Sequence, residues 1–537
     1  MSSLFKRTRK KLFEKSDKKI KESDFLSPSL PDNLTVIKQQ TGNSQDIVIR
    51  PLKTEASPVA NLAIVYVDGI VDATTVNEFI FESIMANPRQ YEGTSEELLQ
   101  HLADNGVALG SLKTVQEWKD LFQELMDGNT IVLINGTNQA ISAGTKGGEH
   151  RSVEQPESQV TVRGPRDGFN ESIQTNIALV RRRIRNPNLW TESMKIGRMT
   201  KTNVTIMYLK GAVNEKIVDE VRNRLNTIDI DSILESGYIE QLVEDQTWTS
   251  FPTLYHTERP DTVAGNILEG RIAIFVDGTP FVLLAPAVFI QFFQAAEDYY
   301  MRFDITTALR FLRILIFFIS IIAPSIYIAG TTFHQEMIPT QLVISIAAQR
   351  ESVPFPAFVE AVMMEITFEI LREAGVRMPR AVGSAISIVG ALVIGQAAVQ
   401  AGIVSPAMVI IVSITAIANF ATPSFAMAVS ARLIRFLFMV IAAIFGMYGV
   451  ILGIIVLTVH LCSLRSFGVP YMSPLAPLSF GNLGDTIIRV PLWTTRERAN
   501  LIMQGEQIHG KNMGKPKPPN SREMTISKKG QGDANET

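Results

Sequence analysis

The sequence holds a single cysteine, Cys462, among 537 residues. That excludes an intrachain disulfide and any cysteine cluster for zinc or an iron–sulfur group. Histidine is scarce as well, and the six that occur, His101, His150, His256, His334, His460 and His509, stand at no metal-ligand spacing. There is no GxxxxGK followed by Ser or Thr, no GxSxG, no HExxH and no GxGxxG after a strand, so nucleotide, acyl-transfer and zinc-hydrolase chemistries have no motif. The chain therefore reads as a non-enzyme without cofactor or metal. Its start, MSSLFKRTRKKLFEKSDKKIK, has nine Lys or Arg but no apolar stretch behind them, which excludes a secretory signal. The same run lacks the aromatic interleaving of a nucleic-acid binder. An anionic membrane surface on the cytoplasmic side is the better match for it.

What is present is a strong asymmetry that the average, net charge −2 and 46% hydrophobic, conceals. The first 300 or so residues carry most of the acids and bases. From about 311 to 462 the chain is built of apolar runs, several near the ~20 residues that cross a ~30 Å hydrocarbon core. A large soluble region followed by a polytopic membrane region is expected.

The soluble region repeats. IVYVDGIVDATTVNE (64–78) aligns with IMYLKGAVNEKIVDE (206–220) at an offset of 142, and the same offset lays IVLINGT (131–137) on AIFVDGT (273–279). Each copy reads as strand, glycine turn, helices and a second strand ending in Gly-Thr. Two similar α/β subdomains are expected over 45–145 and 200–300, joined by a linker, 146–199. In that linker Ile173, Ile177, Val180 and Ile184 mark a helix that carries Arg181, Arg182, Arg183 and Arg185. These arginines suit either an acidic partner or lipid, or pairing with nearby acids on a solvated face. Asp68-Gly69 and Asp277-Gly278 read as turns, not as phosphate or metal loops.

The membrane domain is expected over 301–465, with about 4–5 transmembrane helices. A first span at 311–333 contains Pro324, which predicts a kink; Arg302, Arg310 and Arg313 set its leading side in the cytoplasm. The preceding apolar stretch 281–294 is short enough for an interfacial or re-entrant piece. In 341–372, Glu360, Glu365 and Glu369 either face an aqueous cation path or lie solvated on an interfacial helix. Arg372, Arg377 and Arg380 mark one cytoplasmic loop, and Arg432 and Arg435 another. The run 381–402 has no charge; Ser384, Ser387, Ala391, Gly395 and Ala398 form a stripe of small residues, and Gln396 and Gln400 a polar pair. That stripe suits close helix packing or a narrow pore. A last run spans 436–461 and contains Gly449 and Gly453, a weak GxxxG pairing signal. Counting every run, 405–427 included, gives five crossings, which would leave the tail outside, whereas its nine Lys or Arg against six acids after Leu483 argue for inside, so one run, the acidic 341–372, is expected not to cross. The basic tail 1–44 and the end of the tail 466–537 read as disordered.

VRGPRDGFNESIQTN, TIDIDSILESGYIEQLVED, TERPDTVAGNILEGRIAIFVDGTPFVLLAP, EDYYMRFD and SVPFPAFVEAVMMEITFEILREAGVRMP resemble the A subunits of GerA-type germinant receptors of endospore-forming Gram-positive bacteria, over roughly 45–500. The resemblance implies the spore inner membrane, with both chain ends facing the spore core. It implies a transporter-like, nutrient-binding B subunit and a lipoprotein C subunit as partners. It further implies a homo-oligomer, a pentamer, acting as a nutrient-gated cation channel. A signal-amplifying paralogue of the SpoVA system shares these motifs and stays open as an alternative, as does a non-conducting scaffold. On the channel reading the pore-lining candidates are Ser384, Ser387, Ala391, Gln396, Val399 and Gln400, with Glu360, Glu365 and Glu369 as an acidic vestibule.

Overall fold

In the computed structural model the described residues are 24–53, 61–79, 95–97, 99–100, 111–147, 155–156, 159, 161–377, 393–479 and 485–491. The first subdomain runs α1 (Leu30–Gln40), β1 (Ile47–Lys53), β2 (Asn61–Val67), α2 (Ala73–Phe79), β3 (Leu112–Val115), α3 (Trp118–Met126), β4 (Thr130–Ile134) and β5 (Ala140–Ala143). After α4 (Ile173–Arg183), the second runs β6 (Leu189–Ile196), β7 (Thr202–Leu209), α5 (Glu215–Thr227), α6 (Ser236–Val243), β8 (Tyr255–Thr257), α7 (Pro260–Leu268), β9 (Ile272–Val276) and β10 (Val282–Ala285).

The repeat is real at the level of topology. The two five-stranded antiparallel sheets have corresponding orders, β1-β2-β4-β5-β3 and β6-β7-β9-β10-β8. The matched turn glycines adopt the same left-handed backbone, Gly69 and Gly211 at φ 75° and 88°, Gly136 and Gly278 at 94° and 88°. Only a residue without Cβ does so cheaply. The second copy starts earlier than expected: β6 lies within the stretch read as linker, and Leu189 stands 142 residues after Ile47, the repeat offset. Its sequence, LWTESMKI, is half polar because β6 is an edge strand, and the polarity hides it among loop residues.

Alternation along β2 and β4 divides the first sheet's core in two, with Ala63, Val65, Ile131 and Leu133 on one face and Leu62, Ile64, Val132 and Ile134 on the other. The second sheet's core is instead continuous with that of the helices that follow. The apolar stretch 281–294, expected at the membrane interface, explains this continuity. Its first part is strand β10, and after the cis peptide before Pro286 it forms a buried 3-10 turn, Phe289–Phe293. Phe289 and Phe293 pack on Phe317 of the first long helix at ring distances of 6.1 and 5.0 Å. Protein on both sides accounts for its apolarity.

The helical half comprises α8 (Phe303–Thr332), α9 (Thr340–Arg350), α10 (Ala357–Arg377), helical residues 393–400, α11 (Pro406–Phe420) and α12 (Phe425–Ser463). Helices α8 and α12 are long and apolar enough to cross a membrane. Pro324 lies inside α8, which continues through it. The 39 residues of α12 would span about 58 Å if straight, twice the ~30 Å of hydrocarbon. They do not run straight. Gly446, at φ 62° and ψ −145°, breaks the helix. Beyond it a methyl at Gly449 would strike Ile441, and one at Gly453 would strike Phe438, fifteen residues back in the sequence. The last run is thus a hairpin of two antiparallel halves, and the GxxxG glycines pack one half on the other.

Candidate functional site

Two polar clusters are built into otherwise apolar surroundings. The first lies along α10, whose four acids each meet an arginine; the exposed Glu373 pairs with Arg377 at 2.7 Å, and the other three reach other elements of the bundle. Near the far end of α8, Glu360 accepts from Arg350 Nε at 3.2 Å and from the backbone N–H and hydroxyl of Ser405 at 3.0 and 2.8 Å. In the middle, Glu365 takes both contacts of Arg435 Nη1, at 2.7 and 2.6 Å, and Thr415 donates to it at 3.2 Å. One turn on, Glu369 accepts from Arg432 at 3.0 Å and Arg372 at 2.6 Å. Glu360 and Glu365 are 0% and 1% exposed, so neither is solvated on an interfacial helix. Low dielectric makes these pairs mandatory: a buried carboxylate without its cation would be strongly destabilising.

Arg432 and Arg435 therefore do not mark a cytoplasmic loop. They sit inside α12, buried, and the complementary spacing of Arg432/Arg435 and Glu369/Glu365 on two helices was the signal for them. Of the pore candidates, Ser384, Ser387 and Ala391 lie outside the described residues. Gln396 and Gln400 are exposed and Val399 half-buried on helical residues 393–400. The structure thus does not bring these three together with the α10 acids: Glu360 and Glu365 face the bundle interior, and the glutamines face outward.

The second cluster joins the α/β region to α8. Asp298, 1% exposed, accepts from Arg310 Nε at 3.1 Å and Arg313 Nη1 at 2.8 and 2.9 Å. Arg310 also reaches Asp485 at 3.0 Å, and Arg489 donates to the Asp298 backbone carbonyl. Asp485 and Arg489 belong to the stretch read as a polar tail. The chain after α12 instead folds back on the second subdomain, with Tyr471 fully buried and its backbone carbonyl accepting from Phe289 N–H at 2.8 Å. Sequence periodicity carries no trace of this because the segment is irregular.

Helix α4, capped by Ser172, fixes the two subdomains to each other. Arg181 pairs with Asp46 at 2.6 Å with side chains 1% and 8% exposed; Arg183 meets Asp167 and Arg185 meets Asp127 at 2.7 Å. The arginines thus bind acids of the chain itself. Arg182 donates to the carbonyls of Gly69 and Gly147 at 3.3 and 3.2 Å, on the wall of a cavity of about 630 Å³ between the first subdomain and α4. The Asp68-Gly69 turn lines that cavity.

On α6 of the second subdomain, burial, followed by the charges of Glu244 and Glu235, raises the Glu240 carboxyl to about 7. The fold therefore favours the protonated form, and stability falls as pH rises from the unfolded carboxyl value of about 4.3 through 7. Glu240→Gln is expected to remove that slope. The full chain in detergent, melted between about pH 5 and pH 8, should show the variant gaining on the wild type as pH rises; parallel curves would contradict the assignment.

Residues 35–501 match the family model described as Bacillus/Clostridium GerA spore germination protein. The chain is 56% identical to spore germination protein KA of Bacillus subtilis (strain 168) over 513 residues, covering 96% of this chain and 94% of that one. It is 38% identical to spore germination protein GerLA of Bacillus cereus, over 89% of this chain and 96% of the relative. A crystal structure of the N-terminal domain of the A subunit of the Bacillus megaterium spore germinant receptor GerK3 matches half of this chain and 98% of its own, at 49% identity and a TM-score of 0.41. With a family match across most of its length and relatives this similar over nearly their whole chains, the protein belongs to the GerA family of spore germination proteins.

Proposed function

We propose that the chain is the A subunit of a nutrient germinant receptor and acts in spore germination from the spore inner membrane, as the subunit of an oligomeric, nutrient-gated cation channel. It would work with a transporter-like B subunit that binds the nutrient and a lipoprotein C subunit, and assemble with itself, as a pentamer, among membrane lipid. The observation that carries the receptor reading is similarity to spore germination proteins along almost the entire chain. The contacts also support a definite path through the bilayer. Helix α8 leaves the α/β region; α10 returns, from Glu360 beside Ser405 to Glu369 beside Arg432. The run 381–402 would go out again, since Gly402 abuts Ser352 at the far side. Helix α11 comes back, and the two halves of α12 go out and back. Six crossings is an even number, in keeping with residues 464–491 packing on the α/β region.

On this path 381–402 is the candidate pore wall, with Ser384, Ser387, Ala391, Gln396, Val399 and Gln400 along it. Nutrient binding would bias the oligomer between closed and open states through contacts that differ in the two. A non-conducting scaffold is the second reading. It is favoured by one observation: arginines neutralise Glu360, Glu365 and Glu369, so these acids give no net negative vestibule in the chain as it stands. Potassium flux decides. Oligomers reconstituted in liposomes with the B and C subunits are expected to release potassium on nutrient addition, and Ala391→Phe to suppress release without loss of assembly. Correctly assembled oligomers that pass no potassium overturn the channel reading in favour of the scaffold.

A further inference from the structure

We propose that Trp248 is seated in the headgroup region of the bilayer and fixes the depth of the α/β region against the membrane. The proposal rests on the reading that α8 and α12 cross that bilayer. Trp248 is 93% exposed, more than any other large apolar side chain among the described residues, and Leu242 at the end of α6 is 46% exposed. An indole left in water in this way is a large unburied apolar surface.

The neighbours of Trp248 settle where that surface lies. Thr249 Oγ1 is 3.0 Å from His460 Nε2, and the Ser430 hydroxyl donates to the Ser250 carbonyl. Ser430 is near the start of α12 and His460 near its end, so the loop bridges both feet of the hairpin. The apolar surface of the hairpin reaches those feet: Val459 is 64% exposed, Leu433 60% and, farther along toward the α/β region, Phe425 67%. Trp248 therefore stands level with the edge of the surface that hydrocarbon would cover. That is the depth at which the amphipathic indole is most favourable.

The loop is also held so that the ring stays outside. Phe251 is buried between Phe289 and the His460 ring at 6.4 and 6.3 Å. The Asp245 carboxylate turns toward protein, accepting from the Gly468 N–H at 3.0 Å and from Arg224. Asp245 is thus held inward, and the loop presents the indole outward together with the uncharged Gln246 and Thr247.

The test uses the full chain in phosphatidylcholine vesicles, with and without bromine on the acyl chains near the headgroup. Emission of the wild type minus that of Trp248→Phe isolates Trp248, and substitution at so exposed a position leaves folding intact. The difference emission is expected at short wavelength and to be lost with the brominated lipid, more so than with lipid brominated near the chain ends. Protein that floats with the vesicles while its Trp248 emission is unquenched overturns this proposal alone. Short-wavelength emission without quenching would do the same and assign the site to a second copy or another subunit. Failure to float overturns the membrane reading together with this proposal.

Discussion

Arg435→Met is expected to cost the helical bundle about 3–5 kcal/mol, because it leaves the Glu365 carboxylate without its cation in the buried interior of the bundle. Glu365 is 1% exposed and its one remaining partner among the described residues would be the Thr415 hydroxyl at 3.2 Å. A hydroxyl contributes about 1 kcal/mol net and cannot replace a charge. The loss should appear as a lower melting temperature in detergent and as a fall in the yield of folded protein. The double change Glu365→Leu with Arg435→Met removes both charges and replaces them by apolar groups of similar size. It is expected to recover most or all of the stability, since apolar replacement of a buried pair is often neutral or better. Nε and Nη2 of Arg435 have no partner among the described residues, which strengthens the expectation that the pair is not there for stability. If the double variant melts as low as the single one, Arg435 matters through its packing and the charge account fails. If it is stable yet no longer responds to nutrient, the pair serves the conformational change.

How much of this was legible beforehand differs from part to part, for physical reasons. The duplicated α/β architecture could be read because strands β2, β4, β7 and β9 are buried on both faces and end in glycine turns with positive φ. Few sequences satisfy such positions, so both copies kept the pattern. Edge strand β6 is half polar and was lost in the linker. The hairpin of α12 was illegible for the opposite reason: around the reversal, over 436–457, its residues are apolar on every side, so no periodicity reports it, and Gly446 is one glycine among several. Length gave no hint either, because the apolar run 436–461 is that of a single span.

The charged positions show the limit of reading one segment at a time. Loop assignment by counting arginines treats each as solvated, and it misplaced Arg432 and Arg435 because their acids lie some 60 to 70 residues earlier. Apolar spacing, which is local, did place α4 from Ser172 onward, yet could not choose what its arginines bind. Their partner Asp46 is 135 residues away. Ion pairs between distant elements are invisible to spacing, and here they are what joins one element to the next.

The joint between the α/β region and α8 is the most consequential of these, and Asp298→Asn tests it. Among the described residues Asp298 is the one carboxylate that both Arg310 and Arg313 share, and it also accepts from the backbone N–H of Ala295 at 3.1 Å. Asparagine keeps the shape and loses the charge, so among the described residues the acids left to the two arginines are Asp485, half exposed, and Glu297 at 3.3 Å, beside the carbonyls of Asp485, Thr486 and Phe293. We expect a loss of about 3–5 kcal/mol in the joint, as for other broken buried pairs. Glu297→Gln, which removes a partly exposed contact, should cost at most about 1 kcal/mol. Amide exchange is the discriminating measurement: in Asp298→Asn it should rise through 295–313 and 485–489 while the two sheets keep their protection. Because the second subdomain and the helices share one continuous core, the subdomain should remain attached through Phe289 and Phe293 on Phe317. The variant is therefore expected to assemble normally and yet couple poorly, so that nutrient-triggered potassium release from spores carrying it falls out of proportion to the amount of receptor. Release that tracks receptor amount would show Asp298 to be a stability element only, and would move the coupling to the aromatic contact instead.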